Sequence, residues 1–331
     1  MSWRKGYVGR AAIPPARGVT TANSGSNKLL KRSQRLITRE RREMIWGLIC
    51  VAPALVGFLL WQVGPIVGSL VIAFTDWTVA NTPHWIGLSN FQRMFFADPL
   101  FYKSLSVTGI YAATGVFLNL SFALALALLL SQKIFGLTFF RTIFYLPSTV
   151  PAIASSVLWL WLFNPEFGLF NSILAGLGLP KQQWIYDENS VLASLILMNL
   201  WSVGPLMVIF LAGLQTIPKY LYDAVAVDGG NAWHKFRYVT LPLLTPTILF
   251  NLILSIIDTF QVFTQPYVMT QGGPNNASLL YVLYLYRKAF QEYDMGYASA
   301  LAWVLFLIIA LISFVVLQTS RRWVFYVGGS E

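Results

Sequence analysis

Ile217-Pro218-Lys219-Tyr220-Leu221-Tyr222-Asp223-Ala224-Val225-Ala226-Val227-Asp228-Gly229-Gly230-Asn231-Ala232-Trp233-His234-Lys235-Phe236-Arg237-Tyr238-Val239-Thr240-Leu241-Pro242 is a polar interruption between two apolar runs. Pro218 suits the first turn of a helix, where its missing N–H costs nothing. Gly229 and Gly230 end that helix, because glycine takes the left-handed cap conformation without a Cβ clash. Asn231 then caps a second short helix whose Trp233 and Phe236 share one face. Pro242 marks the entry to the next apolar run. The spacing predicts a compact helix–turn–helix knob that mixes apolar residues with Asp223, Asp228, Lys235 and Arg237. Such a knob is either a loop folded back on its own helices or an element that inserts into a partner, and spacing alone leaves the two level.

The flanking runs set the fold class. Hydrophobic residues make up 56% of the 331 and charged residues 11%, with a mean hydropathy of +0.61. A soluble chain of this length needs far more polar surface to cover its core, whereas lipid removes that requirement. A helix crosses the hydrocarbon layer with about 20 apolar residues. Six stretches qualify, 45–74, 104–130, 142–163, 192–214, 243–265 and 297–318. The expected fold is therefore an all-α membrane protein of six transmembrane helices. Pro53, Gly57, Gly64 and Pro65 lie in the overlong first stretch, Pro147 and Pro151 break the third, and Pro205 sits in the fourth. Interruptions like these are tolerated where neighbouring helices or a cavity satisfy the freed backbone groups.

The net charge of +10 is not spread evenly. Eleven Lys and Arg residues precede Met44, opposed there only by Glu40 and Glu43. A basic block directly before an apolar run marks a cytoplasmic flank and argues against a nucleic-acid partner. Residues 1–44 read as a basic cytoplasmic tail, with the first 27 disordered by composition. Residues 28–45 have apolar pairs at helical spacing, so that part is either a basic amphipathic helix on anionic lipid or a solvated tail that only sets topology. Residues 45–331 read as the transmembrane domain, with the quoted segment, 217–242, as a cytoplasmic loop. Six spans return the C-terminus to the side of the N-terminus. On that topology the inner side holds 18 Lys and Arg, namely the tail's eleven with Lys133, Arg141, Lys219, Lys235, Arg237, Arg321 and Arg322. The outer side holds five, Arg93, Lys103, Lys181, Arg287 and Lys288. Loop Lys and Arg bias sets orientation, so the lopsided ratio supports this topology. Cys50 is the only cysteine, which excludes an internal disulfide. No cleavable signal peptide is expected, since the first apolar run begins late and is too long.

The quoted segment resembles the EAA loop of binding-protein-dependent ABC importer permeases, which reads Glu-Ala-Ala, three residues, Gly, and later Leu-Pro. Asp223-Ala224-Val225 stands for Glu-Ala-Ala, Ala226, Val227 and Asp228 fill the gap, Gly229 is the glycine, and Leu241-Pro242 closes the pattern. The departures are Asp for Glu, Val for the second Ala, and Gly230 where the family often has Ala. Phe74-Thr75-Asp76-Trp77, Ile86-Gly87-Leu88-Ser89-Asn90-Phe91, Leu162-Phe163-Asn164-Pro165 with Gly168, and Gln271-Gly272-Gly273-Pro274 look like the carbohydrate branch of that family, the maltose, glycerol-phosphate and multiple-sugar permeases. The resemblance implies an importer-permease (MetI-like) fold in a bacterial or archaeal plasma membrane. It also implies two ATP-binding subunits that hold the ATP and Mg, a second permease subunit, and an extracytoplasmic solute-binding protein. Tyr222, Asp223, Ala224, Asp228, Gly229 and Trp233 would then couple the chain to its ATPase, and closure of the two ATPase subunits would rock the spans as rigid bodies.

Absences in the sequence agree with that picture. No G-x-x-x-x-G-K-[S/T] phosphate loop occurs, so ATP is expected on another chain. His84 and His234 are the only histidines and no G-x-S-x-G elbow is found, which leaves neither a metal site nor a catalytic triad to propose. The fifth span carries the one acid predicted inside the membrane, Asp258. A charge at a helix centre costs about 2.5–3.5 kcal/mol on insertion scales, so such residues face the bundle interior or water. At about 100° per residue, Asn251, Ser255, Asp258, Gln261 and Gln265 share one face. That stripe either lines the solute path or forms a polar seam between helices. Asn119, Trp159 and Asn199 join the path candidates, while Ser148, Ser155 and Ser202 suit helix packing better. Neutral amides beside aromatic rings suit a sugar or related polyol, and a phosphorylated polyol stays among the candidates because a partner permease supplies half the path. The rival is an ion-coupled secondary transporter with Asp258 as its proton or cation site. A membrane-embedded transferase ranks below both, for want of paired acidic or histidine residues.

Overall fold

Every regular element of the computed structural model, which describes residues 23–132 and 135–325, is a helix. Among the described residues no strand forms, and only two isolated bridges occur, Thr75 with Trp85 and Thr78 with Asp294. The chain falls into two units, residues 1–67 and 68–331. The first contains α1 (Asn23–Phe58), a widened π-turn over Leu59–Val63, and the start of α2 (Gly64–Ile72). α1 runs through position 44 without a break, so the tail expected to end there shares a helix with the first span. The expected disorder of the first residues falls, for residues 1–22, outside the described residues. Residues 23–27 are helical. The overlong first stretch is interrupted by that π-turn, closed by Gly64 N–H donating to the Leu59 carbonyl just before Pro65.

The second unit continues with α3 (Ser89–Phe96), α4 (Pro99–Leu130), α5 (Leu137–Tyr145), α6 (Ala152–Leu162), α7 (Leu169–Gly176), α8 (Val191–Trp201) and α9 (Gly204–Gln215). It ends with α10 (Lys219–Val227), α11 (Ala232–Lys235), α12 (Leu241–Leu243), α13 (Thr245–Phe260), α14 (Thr264–Met269), α15 (Tyr281–Tyr286) and α16 (Met295–Ser320). Four helical stretches are long and apolar enough to cross a membrane, and six if each of two bent pairs counts as one span. The bent pairs are residues 137–149 with 152–162, at 100°, and α8 with α9, at 49°. The third span is therefore not a straight crossing. Pro147 and Pro151 withhold two N–H groups from the ladder, and neither piece alone reaches the about 20 residues that a crossing takes.

α4 is the central post of this unit, packed by α8, α9, α13 and α15. Small residues on it, Ala112, Gly115, Ala123 and Ala127, are buried and let its neighbours come close. At the end where α4 begins, Asp98 accepts from the N–H groups of Leu100 (3.0 Å) and Phe101 (3.3 Å), and its other oxygen takes both the Tyr284 and Tyr297 hydroxyls. The Arg93 guanidinium lies 4.4 Å from the centre of the Tyr297 ring and 2.7 Å from Asp294, which itself caps α16. α3, α4, α15 and α16 are thereby fastened at one end of the bundle. The quoted polar segment, reached at the start of α13, lies at the other.

Candidate functional site

The knob folds as its sequence requires. Pro218 is the N-cap of α10 rather than a residue of its first turn. At the far end Gly229 has φ +77°, its N–H reaches the Ala226 carbonyl at 3.1 Å, and Gly230 N–H reaches the Val225 carbonyl at 2.8 Å. This pair of bonds is a Schellman closure, which satisfies carbonyls the helix end leaves open. Asn231 and His234 form a reciprocal capping box on α11, with Asn231 Oδ1 accepting from His234 N–H at 3.1 Å. The Asn231 cap follows from the sequence, but its partner does not, because the capping box ordinarily uses Glu or Gln there. Trp233 and Phe236 share a face as expected, with ring centres 5.6 Å apart.

Ile217, Val239 and Leu244 bury together beneath the knob and fix its base. Tyr222 belongs to that fastening, half-buried, with its hydroxyl 3.0 Å from Thr240 Oγ1. Asp223, Ala224, Asp228, Gly229 and Trp233 are instead exposed. Around them stand Tyr220, Tyr238, Trp233 at 65% exposure and Val227 at 87%. An apolar and aromatic surface of this kind, rimmed by charge, marks an interaction site more often than bare solvent contact.

The polar residues of the spans sort themselves differently. A cavity of about 210 Å³ opens between α4, the α8–α9 bend and α13, lined by Asn119, Asn199, Ser202, Ser255, Asp258 and Thr259 among others. Asn119 Nδ2 donates to Asn199 Oδ1 at 2.7 Å, and Asn199 Nδ2 donates to the Tyr111 hydroxyl at 3.0 Å. Asn119 Oδ1 and Ser255 Oγ are buried without a hydrogen-bond partner. Four of the expected path residues thus converge on one space. The others do not. Asn251 is fully buried and its amide donates to the Leu206 carbonyl at 3.2 Å, a helix-to-helix tie. Trp159 packs against Phe163, Phe170 and Trp201 and lines a separate apolar cleft with Phe122, Phe144 and Pro147. Gln261 and Gln265 leave the stripe because α13 ends at Phe260, so the 100° step does not carry across to α14. Tyr111 and Thr259 are missed by sequence reasoning, since a lone hydroxyl in a span reads as packing.

Comparison with known proteins finds relatives over most of the chain. Residues 106–322 match the family described as "Binding-protein-dependent transport system inner membrane component". A probable ABC transporter permease protein of Bacillus subtilis, YesP, is 40% identical over 88% of this chain and 95% of its own length. A probable starch degradation products transport system permease protein, AmyD of Thermoanaerobacterium thermosulfurigenes, is 32% identical over 84% of this chain and 94% of its own. Among solved structures, a bacterial ABC transporter that imports the acidic polysaccharide alginate superposes with a TM-score of 0.76 at 22% identity, over 87% of this chain and 99% of that one.

Proposed function

This chain belongs to the binding-protein-dependent transport system inner membrane components, and from that premise we propose that the solute it passes is a sugar or a related polyol. It is a multi-pass membrane protein and the transmembrane permease of an ABC importer, not an enzyme, and the ion-coupled rival is not favoured. The observation that carries the sugar reading is the cavity between α4, the α8–α9 bend and α13, lined by the neutral amides and hydroxyls of Asn119, Asn199, Ser202, Ser255 and Thr259. Such groups pair with the hydroxyls of a passing polyol, whereas a passing hydrocarbon would leave them unpaired at a cost of about 1–3 kcal/mol each. Relatives named for sugar transport point the same way.

In this reading the quoted segment faces the cytoplasm of a bacterium or archaeon and seats in one of two ATP-binding subunits, which carry the ATP and Mg. The Tyr220, Val227, Trp233 and Tyr238 surface makes that seat, Asp223, Ala224, Asp228 and Gly229 lie along it, and Tyr222 holds its shape from behind. A second permease chain completes the path, and an extracytoplasmic binding protein delivers the solute. The test is Ser255→Ala in the assembled importer. Because Ser255 Oγ has no partner to lose, thermal stability should stay within about 0.5 kcal/mol of the parent. Sugar uptake at saturating binding protein should nevertheless fall severalfold. Unchanged uptake would refute the cavity as the path.

A further inference from the structure

We propose that four aromatic rings beyond the outer end of α13 form a second contact site for the sugar, an entry platform ahead of the cavity. The proposal rests on the sugar reading above and extends it to residues the cavity leaves out. Tyr267 and Phe263 stack with ring centres 5.1 Å apart and planes 20° apart. Phe263 meets Tyr286 at 4.9 Å, and Tyr286 meets Phe290 at 5.1 Å. Phe263 caps α14, Tyr267 lies on α14, Tyr286 ends α15 and Phe290 sits in the π-turn over 287–291, so the set is built from separate pieces of backbone rather than from one helix face. Phe290 is 57% exposed, and the other three rings are half-buried. They are held on one side and open on the other.

Two further facts separate this set from a lipid anchor. The side-chain amides that fall out of the cavity stripe neighbour the rings along the chain, Gln261 at the C-cap of α13 two residues before Phe263 and Gln265 on α14 between Phe263 and Tyr267 in sequence. Phe263 also lies five residues past Asp258, the last charged residue lining the cavity, on the same chain segment. Aromatic faces that stack on the C–H side of a sugar ring, flanked by neutral amides for its hydroxyls, are the chemistry of carbohydrate contact. A belt that only held the protein in lipid would need the rings and the tyrosine hydroxyls, not the amides.

The experiment uses the intact importer in proteoliposomes, given malto-oligosaccharides and oligouronates of two to six units. With a benzoylphenylalanine at position 290, illumination during turnover should attach sugar to this chain, more with longer saccharides. Phe290→Ala and Phe290→Leu should both slow transport of the longest saccharides by about 3- to 10-fold, the worth of an aromatic contact, and slow disaccharide transport less. Adducts with lipid alone, or full rescue by leucine, would overturn the platform and make the set an interfacial anchor. Failure of the unaltered importer to move any of these sugars would instead overturn the sugar reading, and the platform with it.

Discussion

At Gly229 a Cβ would meet open space but a backbone at φ +77°, whereas at Gly230 it would lie 2.5 Å from Val225 Cγ1 and 2.8 Å from the Val225 carbonyl oxygen. The two glycines thus serve different ends, one conformational and one steric. Gly229→Ala should cost about 1–2 kcal/mol of left-handed strain and leave the Schellman turn in place. Gly230→Ala has to push a backbone carbonyl aside, so it should displace α11 and Trp233 with it. ATP hydrolysis stimulated by loaded binding protein should therefore fall further in Gly230→Ala than in Gly229→Ala, with both chains inserted normally. The reverse order would contradict this account of the turn. Both glycines were legible in the sequence because a helix must end before Asn231. The clash that holds Gly230 was not, since it depends on where Val225 points. Ser255 and Asp258 were legible as a polar pair, while Asn251, on the same predicted stripe, turned out to bind a neighbouring helix. Periodicity gives the face of a helix but not what that face meets.

The elements around Asp98 behave as one fastening. Burial works against its ionisation, but the hydroxyls of Tyr284 and Tyr297 and the N–H groups of Phe101 and Leu100 outweigh that and hold its carboxyl below the usual range. Arg93, Lys288, Glu292 and Asp294 complete the set of charged groups around it, and burial of Arg93 is likewise outweighed by Asp294. A carboxyl lowered on folding contributes stability that is complete above its unfolded value, about 3.9. That contribution is lost as pH falls through the lower folded value. Thermal unfolding of the purified importer should show this as a loss on acidification below about pH 4. Asp98→Asn should be less stable at neutral pH by on the order of 2 kcal/mol and should show a flatter acid limb. An acid limb as steep as the parent's would contradict the assignment. None of this was visible in the sequence, because Asp98, Tyr284 and Tyr297 are up to 199 positions apart. The broken third span was visible, since Pro147 and Pro151 act locally, although the 100° bend was not. The end of α13 at Phe260 was also not foreseen. No glycine or proline marks it, and the apolar run continues past it.

At the scale of the whole molecule, composition and six apolar runs were enough for the membrane class, and the segment 217–242 with a few shorter motifs was enough for the family. The cavity was half legible, because it is assembled from α4, α8, α9 and α13, which sequence distance does not relate. In the proposed function these parts are unified by force passed from an ATP-hydrolysing partner into the knob and through α13 to the cavity. The most direct measurement is thiol labelling of Val227→Cys in a Cys50→Ser background, comparing the chain alone with the assembled, transporting importer. Val227 is among the most exposed apolar residues of the knob, so the lone chain should label quickly and the assembly slowly, with protection lost when the ATPase subunits are stripped away. Equal labelling in both, in an importer that still moves its solute, would show that nothing is seated there.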